Sequence, residues 1–168
     1  MEKIEKQTIY CLVQDYAGAL VNIASSFTDK GINIRTVDSG EPDENGRSRV
    51  TIMVKCSEAA LKAVIEHLRK LPYVIEVEDL NKGDLIERQL MLVRVRAVGE
   101  DIARIMQHVE IFRASIAGMG EESLIIEMAG PESKVDALAH VLKPFGILEI
   151  ARTGRVAIES EEHAGSKS

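Results

Sequence analysis

Four stretches of the chain place apolar residues at i, i+3, i+4 and i+7, the spacing of a single helix face. They are Leu20, Ile23, Ala24 and Phe27; Leu61, Val64, Ile65 and Leu68; Ile102, Ile105, Met106 and Val109; and Val135, Leu138, Ala139 and Leu142. Short alternating segments of strand character flank each one, so the order β-α-β-β-α-β occurs twice. A chain of 168 residues has room for two small cores of this kind. Each repeat describes a split β-α-β sandwich, two helices on one face of a four-stranded antiparallel sheet. The fold class predicted is α+β, two ferredoxin-like sandwiches in tandem.

In the first repeat, Ile9, Cys11 and Val13 alternate with Thr8, Tyr10 and Leu12, a strand period. Gly31 supplies a left-handed helix exit, and residues 32–37 return as a strand. The turn-rich segment 40–46 joins that strand to one in which Val50, Ile52 and Val54 alternate. Ser57 can cap the second helix, and Pro72 ends it before a strand over 74–80. The second repeat predicts strands over 90–98, 114–117, 124–128 and 147–158, with Gly118-Met119-Gly120 as a turn and Pro131 opening the fourth helix. The domains expected are 1–81 and 82–158, with the charged stretch 81–87 as linker and 159–168 as a polar tail.

A net charge of -6 argues against wrapping nucleic acid or lying on an anionic membrane. The longest apolar runs are strand length, too short to span a bilayer. The first residues, Met1 to Lys6, lack the apolar core of a secretory signal, so the cytoplasm is the expected compartment. Cys11 and Cys56 sit in strand patterns with no Cys-x-x-Cys, and are read as buried thiols. His67, His108 and His140 fall one per helix, without metal spacing, and no nucleophile–base constellation is visible. A phosphate-binding hydrolase of this architecture would need an arginine in the first strand-to-helix loop, and residues 14–19 contain none. An RNA-binding sandwich needs exposed aromatics and a basic face, against an aromatic content of 4%. No catalytic residue and no metal ligand is predicted.

The most informative corner is Asp15-Tyr16-Ala17-Gly18, where the first strand gives way to a helix. The first N–H groups of that helix lack intrahelical partners and, with the positive end of the dipole, attract a carboxylate. Glycine lets a ligand approach the backbone. Asp15 and Asn33 can hydrogen-bond an ammonium group, so the chemistry suits holding a free amino acid rather than transforming one. In the second repeat the corresponding turn, Gly99-Glu100-Asp101, would repel a carboxylate, and a site is expected in the first half only.

Three first-half segments, Asp15-Tyr16-Ala17-Gly18-Ala19-Leu20, Gly31-Ile32-Asn33-Ile34 and Ser48-Arg49-Val50-Thr51-Ile52, resemble an ACT domain, specifically that of the small regulatory subunits of acetolactate (acetohydroxyacid) synthase. Three more, Glu87-Arg88-Gln89-Leu90-Met91-Leu92-Val93, Glu110-Ile111-Phe112-Arg113 and Ala151-Arg152-Thr153-Gly154, resemble that family's C-terminal domain, so the likeness covers about residues 6–158. The resemblance implies a non-catalytic subunit that activates a large catalytic subunit and mediates feedback inhibition in branched-chain amino-acid biosynthesis. It implies side-by-side pairing of N-terminal domains into a homodimer, with valine bound at the interface by Asp15, Gly18, Ala19, Asn33 and Ile34. In that picture Gly18 and the backbone after it take the valine carboxylate, and Asn33 comes from the facing protomer. Asp15 stands where many members carry Asn, and Ala114 and Gly118 replace a common Gly and Asp. Thiamine diphosphate, magnesium and flavin would belong to the large subunit, and no motif for them occurs here. The alternative reading is a stand-alone ACT-domain amino-acid sensor regulating another enzyme.

Overall fold

A computed structural model describes residues 3–81 and 85–160. The first repeat folds as β1 (Glu5–Gln14), α1 (Ala19–Thr28), β2 (Ile34–Ser39), β3 (Arg47–Cys56), α2 (Glu58–Leu68) and β4 (Val74–Asp79). The second folds as β5 (Leu85–Arg96), α3 (Asp101–Phe112), β6 (Ser115–Met119), β7 (Ser123–Gly130), α4 (Glu132–Leu142), a 3₁₀ turn over Lys143–Phe145, and β8 (Ile147–Arg152), before a last strand β9 (Val156–Glu159). The two ferredoxin-like sandwiches expected from the duplication are both present.

In the first unit the sheet order is β2-β3-β1-β4, antiparallel throughout. Its register sets Ile9 opposite Ile52, Cys11 opposite Val50 and Val13 opposite Ser48. All of these face the helices, where Ile23, Phe27, Leu61, Val64, Ile65 and Leu68 complete the core. Each large side chain fully buried here contributes about 1.5–3 kcal/mol. Ser57 caps α2 by accepting from the Ala60 N–H at 3.3 Å, as its position before the helix predicts. Gly31, at φ +68, makes the left-handed exit after α1, while the Ile32 N–H donates to the Phe27 carbonyl at 3.0 Å.

The second unit has the order β6-β7-β5-β8 and a separate core built on Met91, Val93, Val95, Ile105, Val109, Leu138 and Leu142. In α2 and α4 the four predicted apolar positions are all buried. In α1 and α3 only part of the stripe is. Leu20 is 44% exposed, and Ile102 and Met106 are 42% exposed each. The buried line of α1 is instead Ala19, Ile23, Ser26 and Phe27. Small residues let a helix settle closely on a sheet, and hydrophobicity spacing does not signal them. The Ser26 hydroxyl stays satisfied by donating to the Asn22 carbonyl at 3.1 Å.

Three further differences concern connections. Gly118 and Met119 belong to β6, and the turn falls later, where the Gly120 N–H donates to the Ser123 carbonyl at 2.8 Å. Leu85 to Glu87, expected in the linker, already belong to β5. Asn81 is tied to β1 through the Thr8 N–H (2.9 Å) and carbonyl (3.1 Å). The rest of that stretch, 82–84, and the tail from 161 lie outside the described residues.

The strand predicted over 147–158 is two strands, and its second part returns to the first unit. The division runs 87–154 for the second unit, with residues 155–160 grouped with the first, rather than 82–158. Ala157 packs with Tyr10 and Leu80 on the back of the first sheet. Arg49 donates to the Ala157 carbonyl at 3.0 Å and lies 3.7 Å over the Tyr10 ring, and Arg155 bonds the Thr8 hydroxyl. Thr8 and Tyr10, with their register partners Met53 and Thr51, are therefore buried on a face that a lone sandwich would leave wet. The uninterrupted burial from Val50 to Val54 follows from cover on both faces.

Candidate functional site

The end of β1 and the start of α1 enclose a small cavity. The loop between them is fastened at both strands and at the helix. The Asp15 N–H extends the ladder to the Gly46 carbonyl at 2.8 Å, and the Gln14 N–H donates to the Tyr73 carbonyl at 2.9 Å. Tyr16 stacks edge-on against Tyr73 at 5.1 Å, and its phenol oxygen accepts from Asn22 Nδ2 at 2.9 Å. Burial, and secondarily the neighbouring Tyr16, raises the Tyr73 phenol above its ordinary value, so Tyr73 is neutral at physiological pH.

The chain then turns. The Ala19 N–H donates to the Tyr16 carbonyl at 3.1 Å, and Gly18 adopts φ +98, ψ -4. Those are the dihedrals of the third residue of a type II turn, which an L side chain occupies only under strain. Gly18 thus serves as the N-cap without any side chain to cover the helix end. The Asn22 N–H is taken by the Gly18 carbonyl at 3.0 Å. With Ala19 also engaged, the N–H groups of Leu20 and Val21 are left as the first-turn donors. No acidic residue lies in that turn, so the positive end of the helix dipole is uncompensated. A Cβ built on Gly18 would meet no heavy atom within 4 Å, so the approach to these amides is open.

A cavity of about 160 Å³ lies against this turn, lined by Val13, Asp15, Tyr16, Gly18, Ala19, Leu20, Val21, Ser39, Ser48 and Val50. That is about half the lower bound of an ordinary drug-sized pocket, the scale of a single small metabolite. Its lining is mixed in chemistry: amide donors and a helix dipole, the Asp15 carboxylate, the Ser39 and Ser48 hydroxyls, and aliphatic side chains.

Of the five residues singled out in the sequence, Asp15, Gly18 and Ala19 line this cavity and Asn33 and Ile34 do not. The latter two stand at the start of β2, at the other end of the strand from Ser39. Within one chain, therefore, Asp15 and Asn33 do not share the pocket. Ser39, Ser48 and Tyr16 were not foreseen as site residues. Strand register brings the two serines there, since Val13 pairs with Ser48 and Ser39 with Val50, and neither serine carries a local signal.

In the second unit the equivalent corner differs in charge. Glu100 is the N-cap of α3 and Asp101 lies in its first turn, 3.3 Å from Arg104. Among the described residues no three His, Cys, Asp or Glu side chains gather as a metal ion would require, and no helix is long and apolar enough to cross a membrane. Arg49, on β3, is stacked on Tyr10 and bonded to the Ala157 carbonyl.

Comparison with known proteins bears on both units. The family described as the AHAS small subunit-like ACT domain matches residues 9–76, and that described as the small subunit of acetolactate synthase matches residues 88–161. The probable acetolactate synthase small subunit of Archaeoglobus fulgidus is 37% identical over 153 residues, covering 91% of this chain and 96% of that protein. The chloroplastic acetolactate synthase small subunit 2 of Arabidopsis thaliana is 39% identical over 161 residues, 96% of this chain, which spans only 33% of the plant protein. The crystal structure of the Thermotoga maritima acetolactate synthase small subunit superposes with a TM-score of 0.84 at 35% identity, over 94% of this chain and 98% of that one. With both halves matched in order and nearly the whole length shared, the chain belongs to the family of acetolactate synthase small subunits.

Proposed function

We propose that this chain is the valine-sensing subunit of acetolactate synthase, binding valine where two ACT units meet and passing its occupancy to the large catalytic subunit. The observation that carries this reading is the cavity at the start of α1. There, first-turn amides free to take a carboxylate share one cavity with Asp15, which can take an ammonium group. A zwitterion with a short aliphatic side chain matches that set of donors, acceptors and apolar wall.

The edge of the sheet supports a dimer. Strand β2 is terminal in the order β2-β3-β1-β4, so its outer backbone groups are open for pairing. If two copies pair their β2 strands antiparallel about the midpoint, Ile34 of one copy stands beside Ser39 of the other, and Asn33 beside Gly40. Ser39 lines the cavity, so this pairing supplies Asn33 and Ile34 to a site that already holds Asp15, Gly18 and Ala19. Leu20, Val21 and Val37, all apolar and exposed, flank the same region. Thiamine diphosphate, magnesium and flavin are assigned to the large subunit, and the role of this chain is to bias its state.

Valine can change the partner only if it prefers one arrangement of the dimer, a coupling typically of about 1–3 kcal/mol. Linkage then requires the large subunit to shift valine affinity by the same factor. The test is a calorimetric titration of valine with and without large subunit, beside acetolactate formation with and without valine. Stimulation of the synthase by this chain, its reversal by valine, and unequal affinities in the two titrations are expected. Equal affinities would remove the coupling, and absence of any valine heat would remove the site.

A further inference from the structure

Within the valine site, and resting on that reading of it, we propose that Ser48 is a specificity-determining residue that recognises the ammonium group of the ligand. Ser48 is 5% exposed, on the core face of β3. Its neighbours on that face are Val13, directly opposite in register, and Val50, two residues on. The Ser48 hydroxyl lines the cavity and is open to it, so a polar group brought in from outside can reach it.

The geometry says which polar group. Val13 pairs with Ser48, and the Asp15 N–H continues that ladder to Gly46, so Asp15 and Ser48 are diagonal neighbours across two antiparallel strands. Such neighbours stand about 7–8 Å apart at Cα, with side chains of matching parity on one face. One ammonium group placed between them can donate to both, and its third proton can reach Ser39 at the end of β2. The carboxylate is held at the amides of Leu20 and Val21. Beside the acceptor-only Asp15 carboxylate, Ser48 accepts from the ammonium group of an amino acid, whereas the keto oxygen of the matching 2-oxo acid meets no donor at Asp15.

The test is Ser48→Ala in the full-length chain, with valine affinity measured by calorimetry and that of the matching 2-oxo acid by displacement of valine. The variant is expected to lose about tenfold in valine affinity, equivalent to about 1.4 kcal/mol. Its oxo-acid affinity and its urea midpoint should stay level. A variant that binds valine like the wild type, or loses both ligands alike, overturns the assignment while leaving the valine site standing. A wild-type chain that binds no valine removes the site and this inference with it.

Discussion

The two left-handed glycines at the ends of α1 offer a paired experiment in which one position is the control for the other. Gly18 has φ +98 and Gly31 φ +68, and a Cβ at either would meet no heavy atom within 4 Å. Alanine at each site therefore costs backbone strain and no steric clash. The left-handed basin for L residues is centred near +57°, so Gly31 lies within it and Gly18 about 40° beyond. Gly31→Ala should destabilise by about 1 kcal/mol and Gly18→Ala by about 2 kcal/mol. For a chain of this length each kcal/mol lowers Tm by about 2–4 °C.

Ligand binding should separate the two. A methyl group on Gly18 stands at the mouth of the cavity, in the space a carboxylate would use to reach the amides of Leu20 and Val21, whereas Gly31 is at the opposite end of the helix. Losing one charge-assisted hydrogen bond costs about 1.5–3 kcal/mol, at least tenfold in affinity. Urea unfolding and valine calorimetry on both variants give four numbers. Comparable losses of valine affinity in the two variants would show that binding merely follows stability. Wild-type affinity in Gly18→Ala would place the carboxylate elsewhere.

Two further outcomes concern the first unit. Arg49→Ala removes the stacking on Tyr10 and the bond to the Ala157 carbonyl, together about 1–2 kcal/mol. Amide exchange in β9 should quicken more than in α2, and equal protection in both would mean that Arg49 does not hold the segment. Burial pushes the Cys11 thiol up to about 12 from its ordinary 9.0, and the Tyr10 phenol is raised by burial and then by its bond to Glu76. Both groups bind protons more tightly when folded, so their contribution is complete below pH 9; the Cys11 part is lost as pH climbs from 9 toward 12, and the Tyr10 part only above its ordinary 10.0. The Cys11 share is about 1.4 kcal/mol per pH unit in that window. Cys11→Val should flatten the alkaline loss in urea titrations, and an unchanged slope would contradict the assignment.

Local sequence determined the elements, because helix and strand periods are properties of neighbouring residues. The stripes of α2 and α4, the Ser57 cap, the Gly31 exit and the duplicated order were legible for that reason. So was the turn from Asp15 to Ala19, which is built by five consecutive residues. What needed the tertiary structure was every feature made by segments distant in the chain. Leu20, Ile102 and Met106 belong to apolar stripes by spacing, yet the sheets set which line of α1 and α3 is covered. Ser39 and Ser48 join the cavity only through the register of β2, β3 and β1. The return of Arg155 to the first unit depends on Thr8, Tyr10 and Arg49, more than a hundred positions away, and has no periodic trace. Periodicity fixes which residues can share a face, and only packing decides what that face meets.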